Sequence, residues 1–360
     1  MDREGLKKID EEILDLLKRR EDFSIDENGC GIPSDEDIID RACQKGLNPG
    51  FAKKLFDLID DETRHVSKQR MIAAGNPAWN SYRTASYLGP VGTYSYQAMI
   101  KYARGHGLEL KDVCCSNFLD QISNVRQGVT DLAFLPIENT SSGIINDVLD
   151  LMNTPDVAVI GEVVLHIVHC LLMTRPENAD RLKWIYSHPQ PIVQSSRFIN
   201  SHYPEAKYKY CDSTADAIKQ VKELDSDEIA AIGSEIGGEL FGLKPVVSNI
   251  ANQTSNYTRF IVIAREPVKL PGSMPAKTSI SFTTANEPGA LSKILDIFRK
   301  YNYNMTKLTS RPIIGRPWEE QFYADFMANL ETSDAQKALD ELKDCCKSLH
   351  ILGCYPVDSE

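Results

Sequence analysis

Pro136-Ile137-Glu138-Asn139-Thr140-Ser141-Ser142-Gly143 follows a continuous apolar run, Leu132-Ala133-Phe134-Leu135. A run so short and so uniformly apolar reads as a strand buried on both faces. Behind the stretch, Ile145, Val148, Leu149 and Met152 recur at helical spacing. A carboxylate, an amide and three hydroxyls are thus concentrated where a buried strand is expected to turn into a helix. Free backbone N–H groups and the positive end of the helix dipole make such a junction an anion site. A helix cap alone would need one or two of these polar residues. Five in succession point to a ligand.

The same chemistry recurs along the middle of the chain. Leu88 leads into Gly89-Pro90-Val91-Gly92-Thr93-Tyr94-Ser95, and Ile185-Tyr186 into Ser187-His188-Pro189-Gln190-Pro191. Residues 208–211 lead into Asp212-Ser213-Thr214, and residues 229–232 into Gly233-Ser234-Glu235. Strands alternating with helices predict a wound parallel sheet, whose ligands bind at the carboxyl ends of the strands. The apolar run 157–174 is expected to carry the chain into a second lobe, and 257–264 to return it. Residues 82–266 therefore read as a two-lobed α/β domain on a periplasmic-binding-like plan.

On the amino-terminal side, residues 5–21 place Leu6, Ile9, Ile13, Leu16 and Leu17 on one helical stripe. Gly29, Gly31 and Pro33 end that helix within 26–33, Ser34 caps a second running to about residue 45, and 51–74 form a third. An all-α unit over 1–76 is too small to bury its stripe alone, so a homodimer or higher homo-oligomer is expected. Linkers are expected at 74–78 and 267–275. Beyond them, residues 276–357 read strand, helix, strand, strand, helix, strand, an α+β ferredoxin-like unit. Phe322, Ala324, Phe326, Ala328 and Leu330 alternate onto one face of its sheet, and Asn286-Glu287-Pro288-Gly289-Ala290-Leu291 opens its first helix as a second, amino-acid-sized anion site.

Three domains suit 360 residues. A formal net charge of -11 argues against nucleic acid and anionic membranes as partners. The start, Met1-Asp2-Arg3-Glu4, has no signal-peptide core, and no apolar run approaches the ~18 residues of a membrane span, so a cytoplasmic protein is expected. Nine cysteines without a CxxC pair, including the neighbours Cys114-Cys115 and Cys345-Cys346, read as reduced thiols. His166 and His169 are expected on one strand facing opposite ways, not as a metal pair. No metal and no cofactor is implied.

Five strings occur in order in the middle domain: GPVGTYS at 89–95, PIENTSSG at 136–143, SHPQP at 187–191, GSEIGG at 233–238 and NYTRF at 256–260. Together they resemble prephenate dehydratase. The terminal unit resembles the ACT regulatory domain that accompanies it, and the helical unit resembles the chorismate mutase fused ahead of both in the bifunctional P-protein. The resemblance implies loss of water and carbon dioxide from prephenate to give phenylpyruvate, with feedback by phenylalanine. It points to Thr258 as hydrogen-bond donor to the leaving hydroxyl, re-protonated through Glu138 or His188. Asn139, Ser187 and Gln194 are expected to orient the substrate. Thr93, Ser95, Thr140, Ser141 and His188 are expected among the donors for its carboxylates. Arg259 would offer charge to a carboxylate or lock Thr258 through an ion pair. Since a carboxylate beside a dianion repels it, Glu138 is expected to hold a proton or keep a neighbouring donor in place. Gly289, Ala290, Leu291, Ser310 and Arg311 stand where the ACT domain senses phenylalanine.

In the helical unit Arg3 and Arg20 match two arginines of the mutase pocket. The expected lysine is missing from 26–33, and Ser34-Asp35-Glu36-Asp37 brings negative charge where an arginine should open the second helix. Two readings stay open there: a mutase, making the chain fully bifunctional, or a domain kept for dimerisation or regulation. For the middle domain the alternatives are arogenate as substrate, which competition against prephenate would separate, and a non-catalytic amino-acid or anion sensor, which would yield no phenylpyruvate.

Overall fold

A computed structural model describes residues 3–21, 34–76, 79–313 and 315–357. The chain divides into two compact units, Met1–Trp79 with Lys269–Met274, and Asn80–Val268 with Pro275–Glu360. In the first unit, α1 (Arg3–Glu21) presents Leu6, Ile9, Ile13 and Leu16 to solvent, each at least half exposed. Ser34 caps α2 (Asp35–Gln44) by accepting from the Asp37 N–H, as its sequence position predicts. The third helix, α3 (Pro49–Gly75), starts two residues before the expected residue 51. Asn48 accepts from the Phe51 N–H at 2.9 Å, and Pro49 sits at the first helical position, where its missing N–H costs nothing. The helix break expected within 26–33 lies outside the described residues.

The second unit opens with a lobe built from β1 (Thr84–Leu88), α4 (Tyr94–Gly105), β2 (Lys111–Cys115), α5 (Phe118–Gln127), β3 (Leu132–Asn139), β4 (Gly143–Ile144), α6 (Asn146–Leu151) and β5 (Ala158–His166). The chain then crosses to β6 (Cys170–Met173), β7 (Trp184–Ser187), α7 (Pro189–Gln194), α8 (Ser196–His202), β8 (Lys207–Tyr210), α9 (Thr214–Leu224), β9 (Ile229–Gly233), α10 (Glu235–Phe241) and β10 (Lys244–Val247). It returns in β11 (Tyr257–Ala264). The first sheet has the order β2-β1-β3-β11-β5, with β4 on β3, and the second β10-β6-β9-β7-β8. Neither is wholly parallel, as the alternation suggested. The crossing strand β5 and the returning strand β11 both belong to the first sheet, where β11 runs antiparallel to β3 and β5, and β6 runs antiparallel to β9 and β10.

The stretch 136–143 also differs from its sequence reading. β3 continues through Pro136, Ile137, Glu138 and Asn139, and the chain folds back at once so that Asn139 opposes Gly143 and Glu138 opposes Ile144. Gly143 takes a φ of 84°, a conformation that side chains with a Cβ rarely adopt. The helix starts only at Asn146, is six residues long and has no side-chain cap. The polar residues therefore serve a tight strand reversal, and the helix-dipole argument does not apply to them.

The terminal part comprises β12 (Ala276–Thr283), α11 (Ala290–Lys300), β13 (Met305–Pro312), β14 (Glu320–Met327), α12 (Ser333–Cys345) and β15 (Ser348–Pro356), in the sheet order β13-β14-β12-β15. Phe322, Ala324 and Phe326 pack against α11 and α12 as their alternation predicts. The opposite face is covered too: Tyr323 and Tyr355 enter the core of the first lobe beside Ile137, Leu149, Val159 and Ile261. At Gly353 a Cβ would stand 2.0 Å from the Val159 carbonyl oxygen, so only glycine lets β15 approach β5 this closely.

Candidate active site

Because β11 returns antiparallel to β3, the start of one strand lies beside the end of the other, and Thr258 pairs with Asn139. The Asn139 Oδ1 accepts from the Ser141 and Ser142 N–H groups, both at 2.9 Å. Those donors cannot reverse, so the Asn139 amide has one orientation, and its Nδ2 must donate. It donates to the Thr258 Oγ1 at 2.9 Å, to the Asn256 Oδ1 at 2.8 Å and to the Tyr257 carbonyl at 3.1 Å. With its oxygen accepting from Asn139, the Thr258 hydroxyl is left to direct its own proton outward.

Outward is a cleft of about 1120 Å³ at the carboxyl ends of β1, β2, β7 and β8, where Thr93, Ser95, Asn139, His188, Gln194 and Thr258 all contribute to the lining. Thr93 and Ser213 cap α4 and α9, so the lining also includes two helix N-termini. Among these lining residues is no lysine or arginine. An anion there would have hydroxyls, amides and backbone N–H groups as its donors. His188 caps α7 through its Nδ1; burial lowers its pKa, against the pull of Asp212.

Other residues expected at the site point elsewhere. Ser187 is fully buried and spends its hydroxyl on the Ile232 carbonyl at 3.0 Å. Thr140 ties the strand reversal to β11, accepting from the Tyr257 N–H and donating to the Ser255 carbonyl, while Ser141 reaches Gln253. Glu138 and Arg259 precede and follow Asn139 and Thr258, and neighbours along a strand face opposite ways. Both therefore lie behind the sheet. Arg259 binds Glu138 at 2.5 Å, Glu162 at 3.1 Å and Asp325 at 2.7 Å, and Lys307 binds Glu138 at 2.7 Å. Burial would lower the guanidinium's pKa, but Asp325, Tyr355, Glu138 and Glu162 together raise it. Burial likewise pushes the Glu138 carboxyl up, yet Arg259 and Lys307 outweigh it and hold its pKa below the ordinary value. Glu138 thus keeps no proton and has no path to Thr258. The expected relay through it is corrected, and Arg259 is committed to carboxylates of the protein.

Two residues of the site escaped the sequence reading. Asn256 is two positions before Thr258, hence on the same face of the chain, a signal that alternation carries. His169 lies in the crossover between β5 and β6, not on a strand with His166. It is buried, with Nε2 2.7 Å from the Gln194 Oε1 and Nδ1 2.8 Å from the Tyr94 hydroxyl. Among the described residues no group of His, Cys, Asp and Glu could hold a metal ion.

In the terminal sheet, Gly289, Ala290 and Leu291 line a cavity of about 280 Å³ with Asn286, Trp318 and Glu320. Ser310 is exposed on β13, and Arg311 turns to the opposite face, where it binds Asp150 at 2.8 Å. In the first unit Arg20 pairs with Asp60 and lies over the Phe56 ring. Arg3 opens α1, and its side chain lies outside the described residues.

Comparison with known proteins agrees with this geometry. The family profile for prephenate dehydratase matches residues 85–268, and that for the ACT domain matches residues 278–347. The bifunctional chorismate mutase/prephenate dehydratase of Escherichia coli K12 is 39% identical over 373 residues, covering 99% of this chain and 96% of the relative. The crystal structure of prephenate dehydratase from Arthrobacter aurescens in complex with L-Phe superposes with a TM-score of 0.69 at 26% identity, over 76% of this chain and 90% of that one. GqqA, described as a novel type of quorum quenching acylase, superposes with a TM-score of 0.69 at 30% identity, over 77% of this chain and 98% of that one. With Asn139 and Thr258 joined at a cleft lined by no lysine or arginine, and with relatives alike over nearly its whole length, the chain belongs to the prephenate dehydratase family and carries an ACT regulatory domain.

Proposed function

We propose that Asn139 and Thr258 act as one unit on prephenate. Asn139 donates to the Thr258 oxygen, and Thr258 donates its proton to the ring hydroxyl. As the ring C–O bond breaks, the departing hydroxide takes that proton and leaves as water. The electron pair of the bond to the ring carboxylate moves into the ring, carbon dioxide leaves, and the ring becomes aromatic. The threonine oxygen recovers its proton from cleft water. Thr93 is spent on the cap of α4, donating its hydroxyl to the Leu88 carbonyl at 3.1 Å, so Gln194, Ser95 and the N-terminus of α4 hold the carboxylates with preorganised neutral donors. The fixed direction of the Asn139 amide is the observation that carries this reading.

Phenylalanine is the proposed effector, at the cavity beside Gly289, Ala290 and Leu291; the ligand named in the Arthrobacter structure supports the same choice. Titration calorimetry of the full chain with phenylalanine should give saturable heat, and phenylalanine should shift apparent prephenate affinity by roughly 5- to 150-fold, an ordinary coupling. Absence of heat would remove this site.

The helical unit retains at most residual mutase activity. Arg20 is engaged by Asp60, and the acidic opening of α2 would repel a dianion. Losing two charged contacts predicts chorismate turnover by the full chain about 10²–10⁴-fold below a typical enzyme rate of about 10 s⁻¹. A rate near that typical value would restore full bifunctionality. The exposed stripe on α1 supports self-association instead, and light scattering should give at least twice the chain mass; a monomer at working concentration would refute it. The eight free cysteines of the described residues suit a reducing, cytoplasmic compartment. No described helix is long and apolar enough to cross a membrane.

A further inference from the structure

From the hydrogen-bond geometry of the cleft we infer that His169 is a positioning residue: neutral and protonated on Nε2, it holds the Gln194 carbonyl so that the Gln194 amide N–H group faces the substrate. The direction of each bond follows from the one fixed point described above. Asn139 must donate to the Asn256 Oδ1, so the Asn256 Nδ2 is left to donate, and it lies 3.5 Å from the Gln194 Oε1. Gln194 therefore accepts through Oε1. The His169 Nε2, 2.7 Å from that same oxygen, must then carry a proton.

The far side of the ring closes the chain. With Nε2 protonated, a neutral His169 accepts at Nδ1 from the Tyr94 hydroxyl at 2.8 Å. The opposite tautomer would send the Tyr94 proton to the Val168 carbonyl, 3.0 Å away, and leave two lone pairs facing at 2.7 Å. Relieving that repulsion would turn Gln194 over, set its donors against Asn256 and aim its carbonyl oxygen at the carboxylates of prephenate. The His169 ring is almost wholly enclosed, and burial lowers its pKa despite the bond to Gln194, in keeping with the neutral form. Gln194 is itself a cleft residue, so a nearly enclosed histidine in the cleft wall selects which end of an amide the substrate meets.

The inference rests on Gln194 touching prephenate, and a double-mutant cycle separates the two claims. His169→Leu should raise KM for prephenate roughly 10- to 100-fold, the scale of one hydrogen bond to a charged group. His169→Gln, whose amide can donate from near the Nε2 position, should recover most of that loss. In a Gln194→Ala background His169→Leu should add little. Equal losses in both backgrounds would overturn the role given to His169 alone. Unchanged kinetics in Gln194→Ala would overturn the substrate contact as well. Nitrogen-15 spectra of the intact wild-type protein give a readout independent of folding in any variant: an Nε2–H signal for His169 is expected, and an Nδ1–H tautomer would overturn the inference.

Discussion

Turnover of prephenate by the Thr258→Ala variant is expected to fall roughly 10²–10⁴-fold, the usual contribution of a positioned proton donor. Thr258 is nearly buried, and alanine removes a hydroxyl whose partner, Asn139, still donates to Asn256 and Tyr257. The fold should persist, which thermal melting would check. Thr258→Ser keeps the hydroxyl and should retain most activity. Asn139→Asp is the sharper companion. Its carboxylate can still accept from the Ser141 and Ser142 N–H groups and so preserve the strand reversal. It can no longer donate to Thr258, whose hydroxyl would then turn its proton toward the new carboxylate and away from the cleft. A loss of similar size is therefore expected from a change that removes no atom of the threonine. Phenylpyruvate absorbance measures both; near-normal rates in Thr258→Ala would sink the assignment of the proton donor, and in Asn139→Asp the claim that direction matters.

Much of this site was legible in the strings themselves, and what was misread has one physical origin. Asn139 and Thr258 could be picked from their strings, Gln194 from the resemblance those strings carry, and the junctions at Thr93 and Ser213 from cap chemistry, which is a local signal. Glu138 and Arg259 were drawn into the same site because they stand beside the right residues. Adjacent positions on a strand face opposite ways, so their neighbours' presence in the cleft is what excludes them from it. That deduction needed the knowledge that β3 runs on through Asn139, and Pro136 together with five polar residues argued locally for a strand already ended. The partners of Arg259 were beyond reach for another reason. Asp325 is 66 residues away in the terminal sheet, on the face that an isolated ferredoxin-like unit would leave to solvent. His169 gave no signal because its meaning depends on Gln194 and Tyr94, which a crossover between lobes brings to it.

Arg259→Met should be strongly destabilising, because Arg259 pairs with three carboxylates behind the first sheet. The guanidinium is 11% exposed and neutralises Glu138, Glu162 and Asp325, with Lys277 and Lys307 completing the cluster. Methionine fills most of the same volume but leaves three carboxylates sharing two ammonium groups, a stranded buried charge that costs about 3–5 kcal/mol. For a unit of this size the melting temperature should drop by roughly 6–15 °C. The loss should also depend on pH, with a sign set by Glu138. Its pKa is lowered in the folded state, so its share of the stabilisation is present above the ordinary carboxylate range, near ~4.3, and is lost as pH falls through the lowered value. Melting curves from neutral pH down to about pH 3 should therefore converge for wild type and Glu138→Gln at the acid end. Parallel curves would refute the ionised pairing. Because Lys307 and Asp325 come from the terminal sheet while Glu138 and Arg259 adjoin Asn139 and Thr258, the same cluster clamps the ACT domain directly onto β3 and β11. Arg259→Met should accordingly lower phenylalanine inhibition along with stability, and a variant that melts early yet keeps wild-type inhibition would show that the clamp is structural only.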